Sequence, residues 1–260
     1  MKFDVYGIGN ALVDKEFEIT DSFLKDFSIE KGIMTLVDHE EQEGLLSELT
    51  NRFGIKTRTG GGSAANTLYA VSQFGGNAFY SCRVANDETG DFFMKQLGHH
   101  NIETNKNSQR VDGVSGRCLV MVTPDAERTM LTYLGVSDNI SISEMDFEAA
   151  SNCEYMYLEG YLVTSDTARS AIIEMKEYAR EKGIKTAMTF SDPSMLEYFK
   201  DNVNEVLGDR VDLLFCNRQE AQLWSGEEDL DKAIEALKTK AKQFAVTTGA
   251  DGSLLWDGKQ

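Results

Sequence analysis

Two prolines in 260 residues leave no material for a polyproline spacer or a proline-rich interdomain linker. Basic charge is also scarce. Against 43 acidic residues stand 26 Lys and Arg, a formal net charge of −17 at pH 7. Such a surface repels nucleic acid and anionic membrane, so neither is expected as a partner. No apolar run approaches the ~20 residues that span a bilayer. The opening Met1-Lys2-Phe3-Asp4 has no signal-peptide pattern, and a cytoplasmic protein is expected. The four cysteines, Cys82, Cys118, Cys153 and Cys216, lie far apart with mostly apolar flanks. They read as reduced core thiols, not a zinc site or disulfide frame. The three histidines offer little metal-ligating potential; His39 reads as a helix start and His99-His100 as a helix end. No Gly-Lys-Ser/Thr loop is present, which excludes P-loop chemistry.

What is abundant is glycine before one helix. Gly60-Gly61-Gly62-Ser63-Ala64-Ala65-Asn66 runs into a segment with Leu68, Val71 and Ser72 at helical spacing, and Gly75-Gly76 supplies the stop. Consecutive glycines let a ligand approach bare backbone. Ser63 reads as the N-cap, with the following N–H groups pointing out of the helix start. The loop is suited to holding a small polar molecule.

Elsewhere the rhythm is βα. Strands are expected at Phe3–Gly9, Ala78–Cys82, Tyr155–Leu158, Lys185–Phe190, Asp212–Phe215 and Phe244–Thr248. Helices are expected at His39–Asn51, Glu88–His99 (capped by Asn86 or Asp87), Ser165–Lys182, Pro193–Leu207, Gln219–Trp224 and Leu230–Lys240. This alternation predicts an α/β fold, a mostly parallel central sheet with helices on both faces. Gly116–Val122 and Thr129–Leu134 form a hairpin about Pro124-Asp125-Ala126-Glu127, which with Ala11–Ile19 and Ile33–Val37 makes a small β lid. The expected division is a large unit of residues 1–10, 38–113 and 137–260, and a lid of 11–37 and 114–136.

Gly7-Ile8-Gly9-Asn10 follows a strand, as in dinucleotide-binding folds, but no third glycine and no helix pattern follow, and hydride-transfer chemistry is set aside. Asn10 and Asp14, four apart after the first strand, carry an amide and a carboxylate able to accept sugar hydroxyls. Taken alone, the pair reads more simply as ordinary turn formers.

In order along the chain stand Gly9-Asn10-Ala11-Leu12-Val13-Asp14, Gly61-Gly62-Ser63-Ala64-Ala65-Asn66, Asp87-Glu88-Thr89-Gly90, Glu127-Arg128-Thr129, Asn217-Arg218-Gln219-Glu220 and Thr248-Gly249-Ala250-Asp251-Gly252. This series resembles the ribokinase-like, or PfkB, carbohydrate kinase family. The Asn10-to-Asp14 step is similar to the adenosine kinase branch and its bacterial nucleoside and sugar kinase relatives. Ala85 departs from the glycine usual before the Asp-x-x-Gly element, which puts the local turn geometry in question.

The resemblance implies ATP-dependent phosphoryl transfer to a primary hydroxyl of a nucleoside or sugar, with Mg²⁺. It implies that Asn10 and Asp14 hold ribose-type hydroxyls and that Gly61, Gly62, Ser63 and Asn66 line the same pocket. Arg128 would fold over the acceptor or the moving phosphate, as forked guanidinium donors suit developing charge; its plainer reading is a solvated hairpin charge. Asn217 and Glu220 would order Mg²⁺ and water around the phosphates, with no direct protein ligand to the metal. Their plainer reading is a helix cap and a surface glutamate. Thr248, Gly249 and Gly252 would bring backbone against the nucleotide. A monomer or homodimer is implied. A phosphorylated ketose acceptor would need extra cations, for which Arg83, Arg110 and Arg117 are the candidates in sequence.

The family's general base is an aspartate in a Gly-Ala-Gly-Asp element opening a late helix. No such element occurs here. Gly249-Ala250-Asp251 is followed by Gly-Ser-Leu-Leu-Trp-Asp-Gly, a strand and turn, so Asp251 reads as a turn residue. The base is therefore expected beyond Gln260, with the 260 residues binding acceptor weakly and transferring phosphate slowly or not at all. An apolar sheet edge near Phe244–Trp256 is expected to be uncovered. The alternatives are a ribose- or fructose-type sugar kinase, or a non-catalytic ligand-binding fragment.

Overall fold

The computed structural model describes residues 2–105 and 110–259. The first part of the chain runs β1 (Phe3–Ile8), β2 (Leu12–Glu18), α1 (Asp21–Asp26), β3 (Met34–Leu36), α2 (His39–Phe53), β4 (Thr57–Gly61), α3 (Ser63–Gln73), β5 (Ala78–Ser81), α4 (Glu88–His99) and β6 (Ile102–Thr104). The hairpin β7 (Gly116–Val122) and β8 (Arg128–Tyr133) follows. The chain continues through α5 (Phe147–Ser151), β9 (Cys153–Leu158), α6 (Asp166–Lys182), β10 (Lys185–Thr189), α7 (Pro193–Tyr198) and α8 (Lys200–Leu207). It ends in β11 (Val211–Asn217), α9 (Arg218–Ser225), α10 (Leu230–Leu237), β12 (Ala241–Thr247) and β13 (Ser253–Trp256).

The strands form two sheets. The larger has the order β13-β12-β11-β10-β9-β1-β5-β6, parallel except for the antiparallel β12–β13 pair. One face is buried under α5 to α10 around Tyr6, Met156, Leu158, Met188 and Leu214. The other is buried under α3 and α4 around Leu68, Tyr80 and Phe93. The second sheet has the order β3-β8-β7-β2-β4. Phe17, Leu119, Met121 and Leu131 on one side pack against Phe23, Leu24, Leu45 and Leu49 of α1 and α2. Its opposite side is left to face the large sheet's carboxyl edge. The α/β class and the small second sheet are as the periodicity predicts.

Three local expectations change. Thr57–Gly61 is a strand, antiparallel to β2, although it carries no apolar side chain; the ladder to β2 holds it, with Arg58 paired to Glu88 of α4 at 2.7 and 2.8 Å. Pro193–Leu207 is not one helix, because Phe199 leaves helical geometry at φ −128°, ψ 26° and packs its ring on the core. Ser63 is the first helical residue; the N-cap is Gly62, at φ 98°. Of the two candidate caps for α4, Asp87 is the one used, accepting from Gly90 N at 2.8 Å. Ala85 sits in an isolated bridge to Val111, buried and without a positive φ, so its side chain is accommodated where a glycine is usual. All four cysteines are free and buried. No helix among the described residues is long and apolar enough to cross a membrane. Strand β13 lies at the sheet edge, with Leu255 78% exposed.

Candidate active site

In an open α/β sheet, ligands collect at the carboxyl ends of the strands where the strand order reverses. Here that point lies between β1 and β9: the chain goes from β1 outward to β5 and β6, then returns to β9 on β1's other side. A cleft of about 340 Å³ opens at this point. Asn10 enters from the end of β1, Gly62, Ser63 and Asn66 from the start of α3, and Glu159 from the end of β9. The second sheet supplies Leu12 and Asp14 from β2, Met34 and Leu36 from β3, and Arg128, Met130 and Thr132 from β8. Strand alternation explains the β8 set: Arg128, Met130 and Thr132 share one face, and Leu131 points to the helix-covered side.

The cleft is built around a buried carboxylate that sequence reasoning missed. Glu159 is 1% exposed. Its oxygens accept from Asn10 N at 3.3 Å, Asn10 Nδ2 at 3.2 Å and Ala64 N at 2.7 Å. One side chain thus ties the end of β1 to the first turn of α3, where a helix N-terminus favours negative charge. Burial pushes its pKa up to about 7, against the lowering effect of those hydrogen bonds. The Asn10 carbonyl accepts from Tyr80 Oη at 2.9 Å, which fixes the residue from a second side. The one signal in the sequence was a glutamate directly after the apolar run Tyr155–Leu158, at a strand's carboxyl end.

Asp14 differs. Among the described residues its carboxylate has no hydrogen-bonded partner, although its backbone sits between β4 and β7. Burial raises its pKa to about 6; Arg128 acts in the opposite direction, and Glu16 adds to the rise. The carboxylate lies over Gly61, where any Cβ would come within 2.3 Å of Oδ1. A Cβ on Gly62 would meet Asn10 O at 2.3 Å. Asn10, Asp14, Gly62, Ser63, Asn66 and Arg128 are thus brought together, with Gly61 directly beneath Asp14. Arg128 is exposed at the cleft rim.

The other sequence candidates lie outside this cleft, along the same sheet edge. Asn217 caps α9. Its side chain accepts from Glu220 N at 2.8 Å, while Glu220 accepts from Asn217 N and Asn217 Nδ2, both at 2.9 Å. This is a reciprocal capping box. Glu220 is not a surface glutamate but 4% exposed, and burial raises its pKa to about 7, with Asp192 contributing. Thr248, Gly249 and Gly252 form the turn after β12, with Thr248 N and Oγ1 donating to Gly252 O at 2.9 Å. Gly249 and Gly252 have positive φ and no atom within 4 Å of a built Cβ, so the turn presents open backbone. The Arg218–Asp251 ion pair, at 2.9 Å, fastens this turn to the start of α9. Tyr161, which lines the cleft, feels the charges of Asp192 and Glu220, so the two groups of residues are electrostatic neighbours.

Arg83, Arg110 and Arg117 do not reach the cleft. Arg83 binds Asn139 O and Glu144, Arg110 binds Ala85 O and Asp91, and Arg117 pairs with Glu43 on the lid's helix-covered side. Among the described residues no group of three or more His, Cys, Asp or Glu could hold a metal ion.

A cleft at the switch point of a mostly parallel sheet, lined from the other side by a second small sheet, belongs to a ribokinase-like α/β fold. The chain belongs to the pfkB family of carbohydrate kinases, whose family model matches residues 32–260. It is similar to guanosine-inosine kinase of Escherichia coli (strain K12), 25% identical over 241 residues, which are 89% of this chain and 56% of that protein. The chain therefore spans about half the length of that curated relative. Among solved structures, adenosine kinase from Sinorhizobium meliloti superposes with a TM-score of 0.91 at 35% identity, covering 100% of this chain and 79% of that one. A probable sugar kinase from Rhizobium etli CFN 42 gives a TM-score of 0.91 at 31% identity, covering 100% of this chain and 78% of that one.

Proposed function

We propose that this chain carries the acceptor site of an ATP-dependent nucleoside kinase, adenosine kinase-like, that phosphorylates a primary hydroxyl. The observation that carries the reading is the unpartnered Asp14 carboxylate beside Asn10, over the bare backbone of Gly61–Gly62. A carboxylate without a donor, in a partly desolvated cleft, is an acceptor for sugar hydroxyls. The rest of the lining is amphipathic. Leu12, Met34, Leu36, Met130 and Leu134 give an apolar wall, and Asn10, Asp14, Ser63, Asn66 and Glu159 a polar one. A nucleoside has the same division between flat base and hydroxylated ring. A free ribose or fructose would leave the apolar wall without a partner, which favours the nucleoside over the sugar reading. Among the described residues Arg128 is the one cation in the lining, which counts against a phosphorylated acceptor.

Phosphoryl transfer depends on positioning and on spreading charge. Arg128 at the rim is the side chain placed to meet developing negative charge. The open backbone of Thr248, Gly249 and Gly252, with the start of α9, would hold the nucleotide phosphates. Mg²⁺, when bound, would neutralise charge on phosphate oxygens. Both Glu220 oxygens are occupied by Asn217, so Glu220 would act through water and not as a direct ligand. Asp251 is held by Arg218 and does not line the cleft, which supports reading it as a turn residue and not as the base. Four buried free thiols are in keeping with a reducing, cytoplasmic setting.

The test is calorimetric titration with adenosine, inosine, guanosine, ribose and fructose, alongside ATP consumption with each. Saturable nucleoside binding that Asp14→Ala weakens supports the reading. Sugar binding without nucleoside binding would replace it with the sugar-kinase alternative. Binding of neither would remove it.

A further inference from the structure

A second hollow, of about 300 Å³, lies between β4, α3 and α4. It is at the lower end of the size range for small-molecule sites. Tyr69 and His100 form a corner of two rings, centroids 4.3 Å apart at 78°, and Phe93 closes the interior. Asn66 and Gln96 add two side-chain amides, neither with a hydrogen-bond partner among the described residues. Among the described residues no Lys, Arg, Asp or Glu lines it.

We infer that this hollow is a binding site for an uncharged, planar heteroaromatic compound of nucleobase size. Aromatic walls prefer a flat partner, stacked or edge-on. A primary amide presents a donor and an acceptor side by side, the pattern that a heterocycle's edge displays in mirror image. The lining has no fixed charge to compensate an anion or a cation, and the net charge of −17 disfavours a phosphorylated ligand further. Asn66 also lines the acceptor cleft, so the two hollows share a side chain, but the site stands on its own lining and not on the kinase reading.

Methyl groups divide the two sites for nuclear magnetic resonance. Ala65 lines only the second hollow, and Met34 and Met130 only the acceptor cleft. In protein ¹³C-labelled at Ala and Met methyls, adenine added to millimolar concentration is expected to move the Ala65 signal saturably. Gln96→Leu, at a half-buried position, should weaken that response at least about fivefold, the effect of one lost hydrogen bond. It should leave the other methyl signals in place, which certifies the fold. Tyr69→Ala provides an independent variant. A stationary Ala65 signal overturns the inference, whether Met34 and Met130 move or not, and so does an Ala65 response unchanged in both variants. Failure of the nucleoside reading shows instead as unresponsive Met34 and Met130 when adenosine is added.

Discussion

The Asp14 carboxylate rests against the α-carbon of Gly61, with room for no side chain between them: a Cβ on Gly61 would stand 2.3 Å from Asp14 Oδ1. Gly62 is confined differently, by φ 98° and by the Asn10 carbonyl 2.3 Å from its own Cβ position. Alanine should therefore have separable effects at the two sites. Gly61→Ala displaces a side-chain end and should cut acceptor affinity with a small change in stability. Gly62→Ala opposes backbone and a left-handed φ, and should destabilise the fold by about 2–3 kcal/mol. Urea denaturation and calorimetry on both variants check this.

Asp14 accepts hydroxyls most strongly when ionised, because hydrogen bonds to a charged oxygen are the stronger ones. With its pKa raised to about 6, acceptor affinity should strengthen as pH rises from 5 to 7 and then level off. Asp14→Asn should flatten that profile and lower affinity roughly tenfold to a hundredfold, the loss of about 1.5–3 kcal/mol. A titration series across pH decides it.

The same burial makes Asp14 a cost to stability. Its folded-state pKa, about 6, exceeds the ordinary 3.8, so the native state holds the proton more tightly than the unfolded chain. The contribution is present in full below about pH 4 and lost as pH rises through 6. Asp14→Asn should accordingly raise stability by about 1–2 kcal/mol above pH 7 and have almost no effect near pH 4. Thermal melts at the two pH values would show it.

Arg128 is exposed and its side chain makes no hydrogen bond or ion pair among the described residues, yet its charge lowers the pKa of Asp14. Arg128→Ala should leave the melting temperature nearly unchanged and move the pH midpoint of acceptor binding upward. An unmoved midpoint would mean that the two charges are uncoupled.

Asn217 both caps α9 and satisfies the buried Glu220. Asn217→Ala should lose more than the ~1 kcal/mol of an ordinary cap, because Glu220 is left buried with one oxygen unpaired. Asn217→Ala combined with Glu220→Leu should recover part of the loss. Chemical denaturation of the single and double variants measures the coupling.

Much of this protein was legible along the chain because the signals are local. Asp87 (one of two candidates), Ser165 and Asn217 are capping types at the starts of expected helices, and each caps its helix. The Gly60–Gly62 run before α3 and the hairpin about Pro124 were readable for the same reason, since turn chemistry involves only neighbouring residues. Strand β4 was not readable: Thr57-Arg58-Thr59-Gly60-Gly61 has no apolar pattern and becomes a strand because β2 offers it a ladder. Arg83, Arg110 and Arg117 illustrate the converse, cations adjacent in sequence to site elements but neutralised elsewhere by the tertiary fold.

The order of residues by itself determined the alternation of strands and helices, the glycine-lined helix start, and the amide–carboxylate step from Asn10 to Asp14. Only the tertiary structure decided that Glu159 is buried. A carboxylate is stable there because N–H groups of Asn10 and Ala64, far away along the chain, converge on it. It also decided that Asp14 has no such donors and so remains open to a ligand. Desolvation and its compensation are properties of the assembled surroundings, and no stretch of sequence carries them.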